Sequence, residues 1–206
     1  MNIFEYILFK SSPPLKKIKA ELYLQIVEQI SLFSEIHDIP LSETLTHLLE
    51  RNVPLALSIN TEKARSELII INILMEVKER LAERISLFSG IDFTVDKDRG
   101  LNGFCDYIFS QSPEQLYLEI PVVAIVEAKN ENIISGLGQC VAEMYAAKLY
   151  NDREERHVPC IYGAVTTGDE WKFLKLIEET VYIDKPYYYL HDLPKIIGIF
   201  VNMFQQ

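Results

Sequence analysis

The stretch that most constrains the fold is Pro121 to Ala128. Its centre, Val122-Val123-Ala124-Ile125-Val126, is apolar throughout and mostly β-branched. A strand with one wet face alternates apolar and polar residues. A run without alternation reads as a central strand covered on both faces. Such a strand needs neighbours beside it in a sheet and helices above and below it. The chain has 206 residues, 49% of them hydrophobic. That is enough for one α/β domain with a large core, and it excludes a disordered or low-complexity chain.

The remaining elements follow from periodicity and punctuation. All 8 glycines lie at or after Gly90, so the first part reads as helical. Apolar residues at Ile18, Leu22, Ile26, Ile30 and Phe33 predict a helix from Leu15 to about His37. Ser42 suits the N-cap of a short helix through about Arg51, and Asn52 to Asn60, with Pro54, reads as a connection. Thr61 suits the cap of a long helix to about Phe88, striped by Ile70, Leu74, Val77, Leu81, Ile85 and Phe88. Glu67 falls on the edge of that stripe. After Gly90 the period shortens. Strands are expected at Ile91 to Val95, Gly103 to Phe109, Pro121 to Ala128, Cys160 to Val165, from Trp171 and around Val181, with helices at Leu137 to Tyr150 and from Leu193. The expected organisation is a helical extension over residues 1–58, packed on an α/β domain over residues 59–206.

Charge bears on partners. The formal net charge is −10, and most of the excess acid follows Gly90. This argues against a protein that coats nucleic acid by charge alone. Cys105, Cys140 and Cys160 are scattered and lack zinc-ligand spacing, which points to a reducing cytoplasm. The first ten residues lack the basic start of a signal peptide, and no apolar run is long enough for a membrane span, so no membrane role is expected.

One constellation carries chemistry. The central strand ends Glu127-Ala128-Lys129, and residues two apart on a strand share a face. If the preceding strand pairs with it as a hairpin, Asp106 lies beside Glu127. Two adjacent carboxylates need a cation, and hard oxygen ligands suit Mg²⁺ or Mn²⁺. A lysine at such a site can orient or deprotonate an attacking water. Glu-x-Lys also occurs at Glu76-Val77-Lys78 and Glu170-Trp171-Lys172. Only the middle copy combines a buried strand with an upstream aspartate, and its ordinary reading is a solvated strand end with an ion pair. On the next helix, Gln139 and Glu143 share a face. They suit a polar cleft, or an ordinary exposed pair.

Asp106, then Glu127-Ala128-Lys129, then a helix bearing Gln139, resembles the PD-(D/E)xK nuclease superfamily. The resemblance covers about Thr61 to Val165. It implies a restriction-endonuclease-like fold, a mixed central sheet flanked by helices with an α-β-β-β-α-β core. It implies Asp106 and Glu127 as ligands of Mg²⁺ or Mn²⁺, the Ala128 carbonyl as a further ligand and Lys129 as the catalytic lysine. Glu67 matches the glutamate many members carry on the first core helix, and Gln139 matches a glutamine of some branches. Cys105 stands where a proline often precedes the aspartate. Glu143 stands where some branches have tyrosine. The implied activity is metal-dependent hydrolysis of DNA. The alternatives are a non-catalytic module of the same fold that binds a protein or nucleic acid, or a subunit of a restriction or repair assembly. A dimer and a protein partner stay open.

Other features are weaker. The four histidines are isolated, Gly136-Leu137-Gly138 lacks the rest of a dinucleotide fingerprint, and no phosphate-binding Gly-Lys-Ser/Thr loop occurs. Lys16, Lys17 and Lys19 form the densest basic patch. Tyr187-Tyr188-Tyr189 suits base stacking or, more ordinarily, core packing.

Overall fold

The structure is a computed structural model that describes residues 12–205. In chain order it contains α1 (Leu15–Glu21), β1 (Gln25–Ile30), α2 (Glu43–Ile59) and α3 (Glu62–Arg65). α3 runs through a π-helical turn at Ser66–Ile70 into α4 (Ile71–Leu81). Then follow β2 (Ser86–Asp92), β3 (Phe104–Ser110), β4 (Val122–Ala128), α5 (Ile133–Arg153), β5 (Ile161–Thr166), β6 (Glu170–Ile177), β7 (Thr180–Asp184), β8 (Tyr188–Tyr189) and α6 (Leu193–Met203).

The strands form one mixed sheet of order β1-β7-β6-β5-β4-β3-β2, with β8 on β6. β4 is central and buried along its whole length, as its unbroken apolar run requires. It runs antiparallel to β3 and parallel to β5. Parallel neighbours need a crossover, and α5 supplies it. One face of the sheet carries a core with α2, α4 and α6, including Leu45, Ile70, Leu74, Ile196 and Phe200. The other carries α1 and α5, including Ile18, Val141 and Met144. The chain is therefore an α/β protein with a mixed sheet between helical layers. Among the described residues no helix is long and apolar enough to cross a membrane.

The N-terminal part departs from the helical extension expected over residues 1–58. α1 stops at Glu21, Tyr23 takes a left-handed φ of 56°, and Gln25–Ile30 forms an edge strand parallel to β7. The ambiguity lies in the spacing. Leu22, Ile26 and Ile30 recur every four residues, which fits a helix face and is also an even number of strand steps. The segment thus joins the sheet instead of lying on it as helix. Its lead-in crosses α5 at Gly138, where a Cβ would stand 1.9 Å from the Pro13 carbonyl oxygen.

Three helix boundaries also moved. α2 continues through Pro54 to Ile59, so the expected connection from Asn52 is helix. Pro54 and Glu50 face water, so the carbonyl left without its intrahelical partner can be solvated. The long helix capped by Thr61 ends at Leu81, and Ile85 and Phe88 belong to the approach and body of β2. α5 begins at Ile133 with Asn132 as its N-cap, so Ser135 and Gly136 lie inside it.

Candidate active site

β3 and β4 pair as a hairpin would, with Tyr107 opposite Val126 as the last regular pair before the site. One residue further, the ladder gives way to a side chain: Asp106 Oδ2 accepts from the Ala128 amide at 2.8 Å. Asp106 also lies within hydrogen-bonding reach of Glu127. The two carboxylates are brought together as the hairpin predicted. The Lys129 amide donates to the Thr166 carbonyl at 2.8 Å, which holds the strand end against β5. Gly136 of α5 faces the Lys129 stem, where a Cβ would sit 3.0 Å from Lys129 Cγ and 2.6 Å from Val165 Cγ1. Gly136 and Gly138 are therefore close-approach positions, which accounts for a Gly-x-Gly without a dinucleotide.

Lys129 Nζ donates to Glu127 Oε1 and, at 3.3 Å, to Gln139 Oε1. Gln139 Nε2 donates to Glu143 Oε1 at 3.1 Å, and Ser12 Oγ donates to Gln139 Oε1 at 3.2 Å. Glu127 is 1% exposed and Glu143 0%. The pair in α5 is thus not a solvated one. Asn151, two turns further along α5, exchanges hydrogen bonds of 2.8 Å with both backbone groups of Val122 and pins the helix to β4. That anchorage presses Glu143 onto the sheet beside Glu127.

The electrostatics follow from two buried carboxylates, Glu127 and Glu143, and the half-buried Asp106 facing one ammonium. Burial raises the Asp106 pKa, against the opposing pull of the Ala128 amide and Lys129. Burial, then Glu143 and Asp106, push Glu127 well above the usual carboxylate range. Burial lifts Glu143 to about 8. Burial would lower Lys129, but Glu127 outweighs it and the ammonium is held charged. Glu127 Oε2 and Glu143 Oε2 are buried without a hydrogen-bond donor, although the two side chains are within reach of each other. Opposed carboxylate oxygens of this kind call for a shared proton or a cation.

Glu67 is not brought to this cluster. It is exposed, and its ion pair is with Lys63 at 3.6 Å. The π-helical turn Ser66–Ile70 adds a residue to the turn and rotates the positions before it. Ser66 and Arg65 take the inward places instead. Ser66 Oγ meets Tyr107 Oη at 2.5 Å, and Arg65 bonds Asp169 at 2.5 Å and the Thr167 carbonyl at 2.8 Å. Asp106, Glu127, Lys129 and Gln139 are together, and Ala128 sits between them with its amide held by Asp106. Glu143 is the member that sequence reasoning left outside the site. Its signal was that α5 is apolar almost all round, which leaves little room for a wet face.

The donor set is oxygen-rich and suits a hard divalent cation. Among the described residues, no three His, Cys, Asp or Glu side chains are already disposed as a metal cage. The two orphaned oxygens, Glu127 Oε2 and Glu143 Oε2, are buried acceptors of the kind a cation would satisfy. The chain matches no protein-family model, and no curated protein matches it.

Proposed function

We propose that the protein is a divalent-metal-dependent nuclease acting on DNA, built on a restriction-endonuclease-like core. The observation that carries this reading is the contact of Asp106 and Glu127 at the end of a buried strand, with Lys129 bonded to Glu127. The order α4-β2-β3-β4-α5-β5, with β2 to β5 adjacent in the sheet, supports the fold assignment. Asp106, Glu127 and the Ala128 carbonyl would hold Mg²⁺ or Mn²⁺, and the bound cation supplies Lewis-acid stabilisation of charge on a phosphodiester. The residues themselves do the rest. Gln139 and Glu127 fix the Lys129 ammonium, which orients the attacking water. Burial keeps competing water out and strengthens each charge interaction.

Purified protein is assayed on single-stranded, double-stranded and branched DNA with Mg²⁺ or Mn²⁺. Cleavage that needs the metal and disappears in Lys129→Ala is expected. Intact DNA in all three forms with either metal refutes the activity.

A further inference from the structure

Glu143 has no part in the proposed water-orienting step, yet it is fully buried against the site. A carboxylate taken out of water needs partners for both of its oxygens. Glu143 has a partner for one. Gln139 Nε2 donates to its Oε1 at 3.1 Å, and its Oε2 is buried without a donor. The Gln139 amide is fixed in that sense, because its oxygen already takes Ser12 Oγ at 3.2 Å and Lys129 Nζ at 3.3 Å. Glu127 repeats the pattern. Lys129 Nζ donates to its Oε1, and its Oε2 is also buried without a donor.

Packing holds the two orphaned oxygens on one face of the sheet. Ile108 and Ile125 belong to the core under α5, and Asp106 and Glu127 lie two residues away along the same strands, on the same face. α5 presses closely on that face. A Cβ on Gly163 of β5 would stand 2.4 Å from Met144 Sδ and 2.9 Å from Cys140 Sγ, which flank Glu143 on the helix. With the Asn151 clasp beyond them, α5 lies too close to the sheet for Glu143 to swing out to water. Glu143 and Glu127 are within hydrogen-bonding reach of each other.

The charges around the pair point to a cation of one valence. Asp106, Glu127 and Glu143 face the single ammonium of Lys129. Glu62, another carboxylate that acts on Lys129, is exposed and keeps its water. Three carboxylates against one ammonium leave two negative charges in a place where net charge is costly. One divalent cation cancels them, and a monovalent cation cancels half. The orphaned oxygens are the hard donors that a divalent cation takes.

We infer that Glu143 is a ligand of the site's divalent cation, holding it through Oε2 together with Glu127 Oε2. The inference rests on the proposed metal site for the presence of a cation, and not on cleavage of DNA. Gln139 is then a positioning residue on two sides. Its oxygen holds the Lys129 ammonium, and its nitrogen engages Glu143 Oε1 and leaves Oε2 for the cation.

The test is Mn²⁺ binding at pH 8 by the full chain, read from the electron paramagnetic resonance signal of the free ion. The parent is compared with Glu143→Gln and Glu143→Asp, each checked for folding by circular dichroism. Glutamine keeps the shape and loses the ligand charge. Aspartate keeps the carboxylate and loses a methylene. A ligand predicts binding weakened roughly tenfold or more in Glu143→Gln, with Glu143→Asp between it and the parent. A carboxyl that only packs, or only shares a proton with Glu127, predicts the parent affinity in Glu143→Gln, and that result overturns the inference. Glu143→Asp binding no better than Glu143→Gln overturns it, as does a parent that binds no Mn²⁺. Mn²⁺ binding lost in Asp106→Asn but kept in Glu143→Gln removes the Glu143 ligand and leaves the proposed site standing. Mn²⁺ held through Glu143 with DNA left intact removes the nuclease reading alone.

Discussion

Glu143→Gln is expected to stabilise the protein at neutral pH and to do almost nothing in acid. The Glu143 carboxyl is fully buried, and burial raises its pKa from 4.5 to about 8. A carboxyl whose folded pKa lies above its unfolded value costs nothing below the unfolded value. It destabilises the fold increasingly as pH climbs through the interval between them. At pH 7 that interval has been crossed by about 2.5 units, and each unit is worth about 1.4 kcal/mol, so the carboxyl costs about 3 kcal/mol there. The amide keeps an acceptor for Gln139 Nε2 and gains a donor for the orphaned Glu127 Oε2. Thermal unfolding in EDTA at pH 4.5 and pH 7 reads the difference. For a domain of this size, about 3 kcal/mol is a rise of about 6–12 °C in Tm at pH 7, shrinking towards zero at pH 4.5. A Tm difference that is the same at both pH values, or a Glu143→Gln protein less stable at pH 7, refutes the claim that the cluster holds an uncompensated carboxyl.

Two further substitutions test the scaffold. Ser42→Ala removes the cap that accepts from the Leu45 amide at 3.1 Å and the hydroxyl that donates to buried Glu76 at 2.6 Å, so urea unfolding should show a loss of about 2–3 kcal/mol. Because those bonds and Arg80 hold the Glu76 pKa down against burial, part of the Ser42 contribution is present above the ordinary carboxylate range and fades as pH falls below it; an equal loss at pH 3 and pH 7 contradicts this. Gly138→Ala drives a methyl group towards the Pro13 carbonyl, and overpacking against backbone should cost about 1–3 kcal/mol. The same change should break the Ser12–Gln139 contact, and a Gly138→Ala protein as stable as its parent by calorimetry means the 12–14 segment does not cross α5 there.

Sequence and structure agree where the physics is local. The unbroken apolar run of β4, the Ser42 and Thr61 caps and the contact of Asp106 with Glu127 were all legible, because each depends on near neighbours or on a single hairpin. The failures have a different origin. Ile26 and Ile30 satisfy both periods, and only the presence of β7 to pair with decides for a strand. Glu67 was misplaced by a π-helical turn that periodicity cannot show in advance. The spacing of Gln139 and Glu143 suits a polar cleft as well as an exposed pair, and periodicity alone does not choose between them. The burial of Glu143 comes from the Asn151 clasp on Val122 and from two glycines that let other chain segments approach α5, which are long-range consequences of packing. The third Glu-x-Lys copy, which has no upstream aspartate, carries the buried Lys172, because β6 continues the row that Glu127 begins.

The central claim is that Asp106 and Glu127 form a divalent-cation site, and titration calorimetry with Mn²⁺ reads it most directly. The parent protein is expected to give a saturable binding heat that is lost in Asp106→Asn and in Glu127→Gln, each checked for folding by circular dichroism. No Mn²⁺ binding by the parent, or binding that survives unchanged in both variants, contradicts the claim.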